Sequence, residues 1–203
     1  MQNRSLKRIA IFCGSSPGAN PAYLKAALDL GNCLVKNKIG LVYGGGNVGL
    51  MGAIASSVID SGGEVIGVIP KALADQEVAY LNLPDLRIVD SMHSRKTLMA
   101  DLADAFIALP GGMGTIEELM EILTWSQLGF HKKPCGILNI SGFYDHLLEF
   151  LTRMVKDQFV APEHQSMLLI DESPDGLLNQ FLRYEPPLID KAKRAKKLSV
   201  NRT

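Results

Sequence analysis

Apolar residues recur along this chain in two patterns. Short unbroken runs, rich in Ile, Val and Leu, occupy 8–13, 40–43, 64–69, 86–89, 105–109, 135–139 and 167–170, and predict about seven strands. Between them, the stretches 22–38, 50–61, 94–103, 115–128 and 144–157 set apolar residues three and four apart, as an amphipathic helix requires. Strand and helix alternate, so the strands must run parallel through helical crossovers. The runs show little polar alternation, which means burial on both faces. The predicted fold class is therefore α/β: a doubly wound, mainly parallel sheet of about seven strands with helices on both faces. The stretch 70–84 stands apart, because it carries Lys71, Asp75, Gln76 and Glu77 without periodicity, and long connections of that kind are commonly functional.

The 203 residues, 47% hydrophobic, suit one domain with a real core. We read residues 1–190 as that domain and 191–203 as a flexible basic tail. The 21 basic and 21 acidic residues balance overall, but six basic residues lie after position 190, so residues 1–190 carry 15 against 21, a net −6. A body of that sign argues against nucleic acid as a partner. Cys13, Cys33 and Cys135 are far apart, with no metal-ligand spacing, and the apolar stretch near the start is too short for an export signal or a membrane span. The expectation is a reduced, cytoplasmic protein with no membrane partner and no bound metal.

In a doubly wound sheet, ligands bind beyond the carboxyl ends of the strands. Four junctions there carry candidate chemistry. Gly14-Ser15-Ser16-Pro17-Gly18 follows the first strand, and Gly44-Gly45-Gly46-Asn47-Val48-Gly49-Leu50-Met51-Gly52 the second. Asp90-Ser91-Met92-His93-Ser94-Arg95-Lys96 follows the fourth, and Pro110-Gly111-Gly112-Met113-Gly114-Thr115-Ile116-Glu117-Glu118 the fifth. Glycines allow backbone N–H groups close to a phosphate, and the following helix adds its dipole. Several such turns on one sheet edge point to a nucleotide pocket.

Plainer readings stand beside these. Gly44, Gly46 and Gly49 spell G-x-G-x-x-G, but the acidic residue a dinucleotide site needs should close the next strand, and Glu64 opens it. Thr115 to Glu118 has the T-x-x-E form of a capping box, which does no more than close a helix. Arg95 and Lys96 read as exposed residues of a helix start, although positive charge there opposes the dipole and asks for an anion. His93 and His131 read as solvated, Cys13 as a buried strand residue. Ile122, Trp125 and Leu128 form a stripe suited to core or subunit contact.

Taken in order, Gly14-Ser15-Ser16, Gly44-Gly45-Gly46 with Gly49-Leu50-Met51-Gly52, Met92-His93-Ser94-Arg95-Lys96 and Pro110 to Glu118 closely resemble the LOG family, the Lonely Guy type cytokinin riboside 5′-monophosphate phosphoribohydrolases, long labelled lysine decarboxylases. The resemblance runs from about Lys7 to Leu182. It implies a Rossmann-like sheet, a homo-oligomer of at least two chains, and hydrolysis of the N-glycosidic bond of a purine nucleoside 5′-monophosphate, cytokinin-type or AMP, to free base and ribose 5-phosphate without a cofactor. It further implies a catalytic pair, Arg95 and Glu118, and a phosphate turn of Gly111, Gly112, Gly114 and Thr115. Gly14, Ser15, Gly45, Gly46, Glu77, Met92, Lys96, Met113, Glu117 and Thr124 would complete the substrate contacts. Met113 stands where many members have an aromatic residue.

Two other functions compete. A non-catalytic carrier of a nucleotide or of a molybdenum-cofactor-like molecule uses the same sheet and turns, but has no need of Arg95 and Glu118 together. A pyridoxal-phosphate decarboxylase needs a Schiff-base lysine and a partner for the ring nitrogen, and neither is recognisable.

Overall fold

In the computed structural model, residues 5–74 and 79–187 are described. Glu77 and the basic tail lie outside them. Seven strands form one sheet: β1 (Arg8–Phe12), β2 (Gly40–Tyr43), β3 (Val65–Pro70), β4 (Asp85–Val89), β5 (Ala105–Ala108), β6 (Cys135–Leu138) and β7 (Leu168–Asp171). Their spatial order is β4-β3-β2-β1-β5-β6-β7, with each neighbouring pair parallel. Each strand lies within a residue or so of its expected range.

The chain also forms α1 (Pro21–Lys36), α2 (Gly49–Asp60), α3 (Lys71–Ala74), α4 (Met92–Leu102), α5 (Met113–Leu128), α6 (Asp145–Lys156), α7 (Pro162–Gln165) and α8 (Pro174–Arg183). The central strands bury both sides, and that is why they read as apolar runs. Ile9 and Ile11 of β1 pack with Leu30, Leu34 and Ile54 of α1 and α2, while Ala10 and Phe12 face Met99 of α4 and Ile122 of α5. Phe181 of α8 joins the first face, and α6 covers the second through Leu147 and Leu148 beside Ile137.

Local chemistry explains where the helices start. Ser91 Oγ accepts from the Ser94 N–H at 3.0 Å, so α4 begins at Met92, two residues before its apolar period. The helix α8 lies outside the predicted set, although Ser173-Pro174 followed by Leu177, Leu178 and Phe181 is a legible start signal. Ser173 Oγ caps it by accepting from the Gly176 N–H. The unpatterned stretch 70–84 opens as the single turn α3, and Ala79 bridges antiparallel to Gly46.

From β1 the chain steps outward to β4, then α4 returns across the sheet to β5 on the other side of β1. A crevice therefore opens between the carboxyl ends of β1 and β5, the switch point where such folds bind ligands. Tyr144, buried before α6, holds its rim: its hydroxyl donates to the Leu109 carbonyl at 2.6 Å, one residue before Pro110. Tyr144→Phe is expected to lower folding stability by about 1–3 kcal/mol, because that buried carbonyl loses its donor while the packing survives. Denaturant melts measure this, and a loss below about 0.5 kcal/mol would mean that the bond holds nothing in place.

Candidate active site

Backbone hydrogen bonds join the glycine turns. The Gly14 N–H donates to the Pro110 carbonyl at 3.1 Å, the Leu50 N–H donates to the Gly14 carbonyl at 3.0 Å, and the Tyr80 N–H donates to the Gly45 carbonyl at 2.8 Å. Such approach requires glycine at Gly111, where a Cβ would collide with the Thr115 hydroxyl and stand 2.8 Å from the Gly14 nitrogen. A recess of about 220 Å³ results, lined by the Gly14–Gly18 turn, Tyr23, Leu50, Pro110, Gly111, Gly112 and Phe143. Ser15 lines it, but the Gly14 N–H is already spent inside the protein.

The helix α5 starts at Met113 with Gly112 as its N-cap, and no side chain caps it. With no side-chain cap on its first amides and Gly112 lining the recess, this helix start suits an anion. Thr115 is thus already inside the helix, and the expected capping box does not form. Glu118 turns instead to α4: its carboxylate accepts from Arg95 Nη1 at 2.9 Å, with each side chain only 10% exposed.

Arg95 is likewise buried rather than an exposed residue of a helix start. Its Nε donates to the Val68 carbonyl at 3.2 Å, and its Nη1 lies 3.9 Å from Met92 Sδ. Lys96 is also partly buried, tied to Glu117 at 2.6 Å and Glu121 at 3.0 Å. Its hydrogen bond to Glu117 first, then Glu121, raises its pKa and keeps it protonated. Burial pushes the Glu118 carboxyl above the ordinary range, with Arg95 pulling the other way. Cys13 lies beneath the pair, a buried strand-end residue as expected, its thiol pushed up by burial.

Several expected residues sit elsewhere. Thr124 donates to the Met120 carbonyl and lies six residues beyond Glu118, turned roughly 240° around the helix, so the structure does not bring it to the Arg95–Glu118 pair. Met113, at the helix mouth, is 88% exposed. His93 is exposed, but His131 is not solvated: its Nε2 lies 2.9 Å from the Ile122 carbonyl, its ring packs on Phe106, and burial lowers its pKa. Ile122 is core, Trp125 packs against the core, and only Leu128 of that stripe is exposed.

Sequence reasoning missed the Val68 carbonyl, which leaves no trace in residue type, and Glu121, whose spacing four after Glu117 was a usable signal. Gly14 to Gly18 also spells G-x-S-x-G, the pattern of a nucleophile elbow. No elbow forms, because α1 starts only at Pro21 and Ser16 Oγ accepts from the Gly18 N–H.

Fold and site together define a doubly wound α/β protein with a glycine-lined cleft and a buried Arg–Glu pair at its switch point. Residues 51–181 match the family model described as possible lysine decarboxylase. The cytokinin riboside 5′-monophosphate phosphoribohydrolase LOG7 of Arabidopsis thaliana is 48% identical over 180 residues, covering 89% of this chain and 83% of that one. LOG3 of the same plant is 46% identical over 186 residues, covering 92% and 86%. The chain belongs to the LOG family. Among solved structures, the molybdenum cofactor binding protein of Rippkaea orientalis superposes with a TM-score of 0.65 at 22% identity, covering 86% of this chain and 94% of that one. That likeness establishes the fold alone.

The Glu118 shift has a sign in stability. A carboxyl whose folded pKa is raised holds its proton where the unfolded chain has released it, so its contribution is fully present below the ordinary 4.5 and is lost as pH rises through the folded pKa. Across that window, wild type is expected to lose stability relative to Glu118→Gln, which does not titrate. Denaturation of both proteins over a pH series measures the difference. A difference that moves the other way would mean that Arg95 outweighs burial.

Proposed function

We propose that this protein is a nucleoside 5′-monophosphate phosphoribohydrolase, acting on the riboside 5′-monophosphate of a cytokinin-type N6-modified adenine or on AMP. The observation that carries the proposal is the buried Arg95–Glu118 pair about one and a half turns inside the uncapped N-terminus of α5. At about 1.5 Å per residue, Glu118 lies roughly 8 Å along the helix from its mouth. A phosphoribosyl group spans such a gap, with its phosphate on the amides of Gly112 to Thr115 and its sugar at the carboxylate.

In the reaction, the bond from C1′ to the base nitrogen breaks and its electron pair leaves with the base. Positive charge builds on the sugar, where the Glu118 carboxylate stabilises it. Water then bonds to C1′ and gives one proton to Glu118, which releases it to the departing base, so free base and ribose 5-phosphate result and the carboxylate is restored. A carboxyl raised by burial accepts a proton more readily than an ordinary one. Arg95 keeps the carboxylate aimed and offsets its charge. Ser15, Gly45 and Gly46, with Met92, Lys96 and Glu117 at the rim, are assigned to substrate contact, and none of these steps calls for a metal.

The names of the relatives specify this activity, and identity of 46–48% over 89–92% of this chain supports carrying it over. The carrier reading draws only on fold, and leaves a buried ion pair at the crevice without a task. The decarboxylase label fares worse at Lys96, because an amine must lose its proton before it attacks a carbonyl, and Glu117 and Glu121 hold this one charged. We also propose a homo-oligomer, through a face that includes Leu128 and Phe130, the latter 75% exposed. Light scattering at micromolar concentration tests it, and a monomer overturns it. A cytoplasmic location accords with three unpaired cysteines.

Base release from AMP and isopentenyladenosine monophosphate tests the activity. Glu118→Gln is expected to slow release at least about a hundredfold, since Gln keeps an acceptor for Arg95 but neither carries charge nor takes a proton. Folding stability at neutral pH should survive the change, because Gln still offers Arg95 an acceptor and ionising the buried carboxyl brings no net stability. Wild-type turnover in this variant would remove the catalytic assignment. The matching nucleosides should react far more slowly, since binding energy at the phosphate is converted into rate at the sugar. Equal rates would remove the phosphate site.

A further inference from the structure

Arg95 Nε and Nη1 have named acceptors, and the third nitrogen, Nη2, faces the Cα of Gly44, the first residue after β2. A Cβ on Gly44 would stand more than about 1 Å inside the roughly 3.5 Å at which such atoms make contact. It would also lie 3.3 Å from the Arg95 Cζ and 3.4 Å from Met51 Sδ. The backbone at Gly44 is outside the left-handed region, so conformation alone would permit alanine there. Space is the reason for glycine at this position.

The surrounding sheet shows why the space exists. The β2–β3 ladder ends at Tyr43 and Gly67, so the chain leaves the sheet at Gly44 just where the Val68 carbonyl becomes available to Arg95. The guanidinium fills the resulting slot, with Val68 at one edge, Glu118 at another and the bare Cα of Gly44 behind it. Because the group is planar and rigid, displacing Nη2 also moves Nη1 and Nε.

We infer that Gly44 is a positioning residue for the Arg95–Glu118 pair: the absence of its side chain makes the slot that holds the guanidinium against the carboxylate. For its effect on rate the inference rests on the hydrolase reading, whereas the geometry can be tested without it. With a methyl group at Gly44, the guanidinium must give up its contact with Glu118 or with Val68. Glu118 then faces burial with less compensation, and its carboxyl titrates at higher pH.

The experiment compares wild type, Gly44→Ala, Arg95→Ala and the double variant. In ligand-free protein, the Glu118 side-chain carboxyl is followed by carbon-13 NMR through a pH titration. Gly44→Ala is expected to move its midpoint upward by about half a unit or more relative to wild type, a change that Arg95→Ala and the double variant should share without differing from each other. In base release, Gly44→Ala should lower kcat tenfold or more and shift the acid limb of its pH profile upward, while the double variant should be no slower than Arg95→Ala. An unmoved Glu118 midpoint, or losses that add in the double variant, would overturn the inference. Should Gly44→Ala fail to fold, a folded double variant would still trace the clash to Arg95, and an unfolded one would overturn it. Should wild type release no base, the hydrolase reading fails, and the titration still decides the role of Gly44.

Discussion

Two opposite charges are buried at the edge of this sheet, and the site is organised by the need to keep them paired. Taking a guanidinium and a carboxylate out of water costs several kcal/mol each, repaid only by close geometry and by acceptors for the remaining donors. Arg95 meets that demand from three directions: Glu118 on α5, the Val68 carbonyl on β3, and the space left at Gly44 after β2. Each depends on a different part of the chain, so the pair assembles only when the sheet does.

The switch point supplies the rest. Because β1 and β5 are neighbours while their following segments diverge, the turns after them meet edge to edge, and the Gly14 N–H reaches the Pro110 carbonyl. Backbones approach this closely only without side chains between them. Glycine therefore recurs at these turns, and it leaves the start of α5 open where a phosphate can use the helix amides.

Fold and chemistry separate clearly here. A molybdenum cofactor binding protein shares this architecture at 22% identity, so the sheet and its crevice are compatible with more than one task. In the proposed reading, the chemistry of this chain is carried by few side chains, chiefly Arg95, Glu118 and their supports. The decarboxylase description of the family model fits this site poorly, since the lysine beside the pair is held by two carboxylates.

The parallel sheet was legible in the sequence because burial on both faces forces unbroken apolar runs, and that signal is local. The glycine turns were legible too, since they follow the strands directly. Helix α8 lies outside the predicted set although its local cap, Ser173 followed by Pro174, is a signal the sequence contains. Other features were beyond any local signal. Thr115 to Glu118 spells a capping box, yet Gly112 begins the helix and Glu118 turns away, because Thr115 already lies inside the helix and the buried Arg95 draws the carboxylate across to α4. His131 looked solvated and is packed on Phe106. Sequence alone determined the fold class and the glycine turns at the strand ends, through periodicity and backbone chemistry. Which charges are buried, and against what, was decided only by tertiary structure, because burial and pairing depend on residues from β2, β3, α4 and α5 that are distant in the chain and adjacent only when folded.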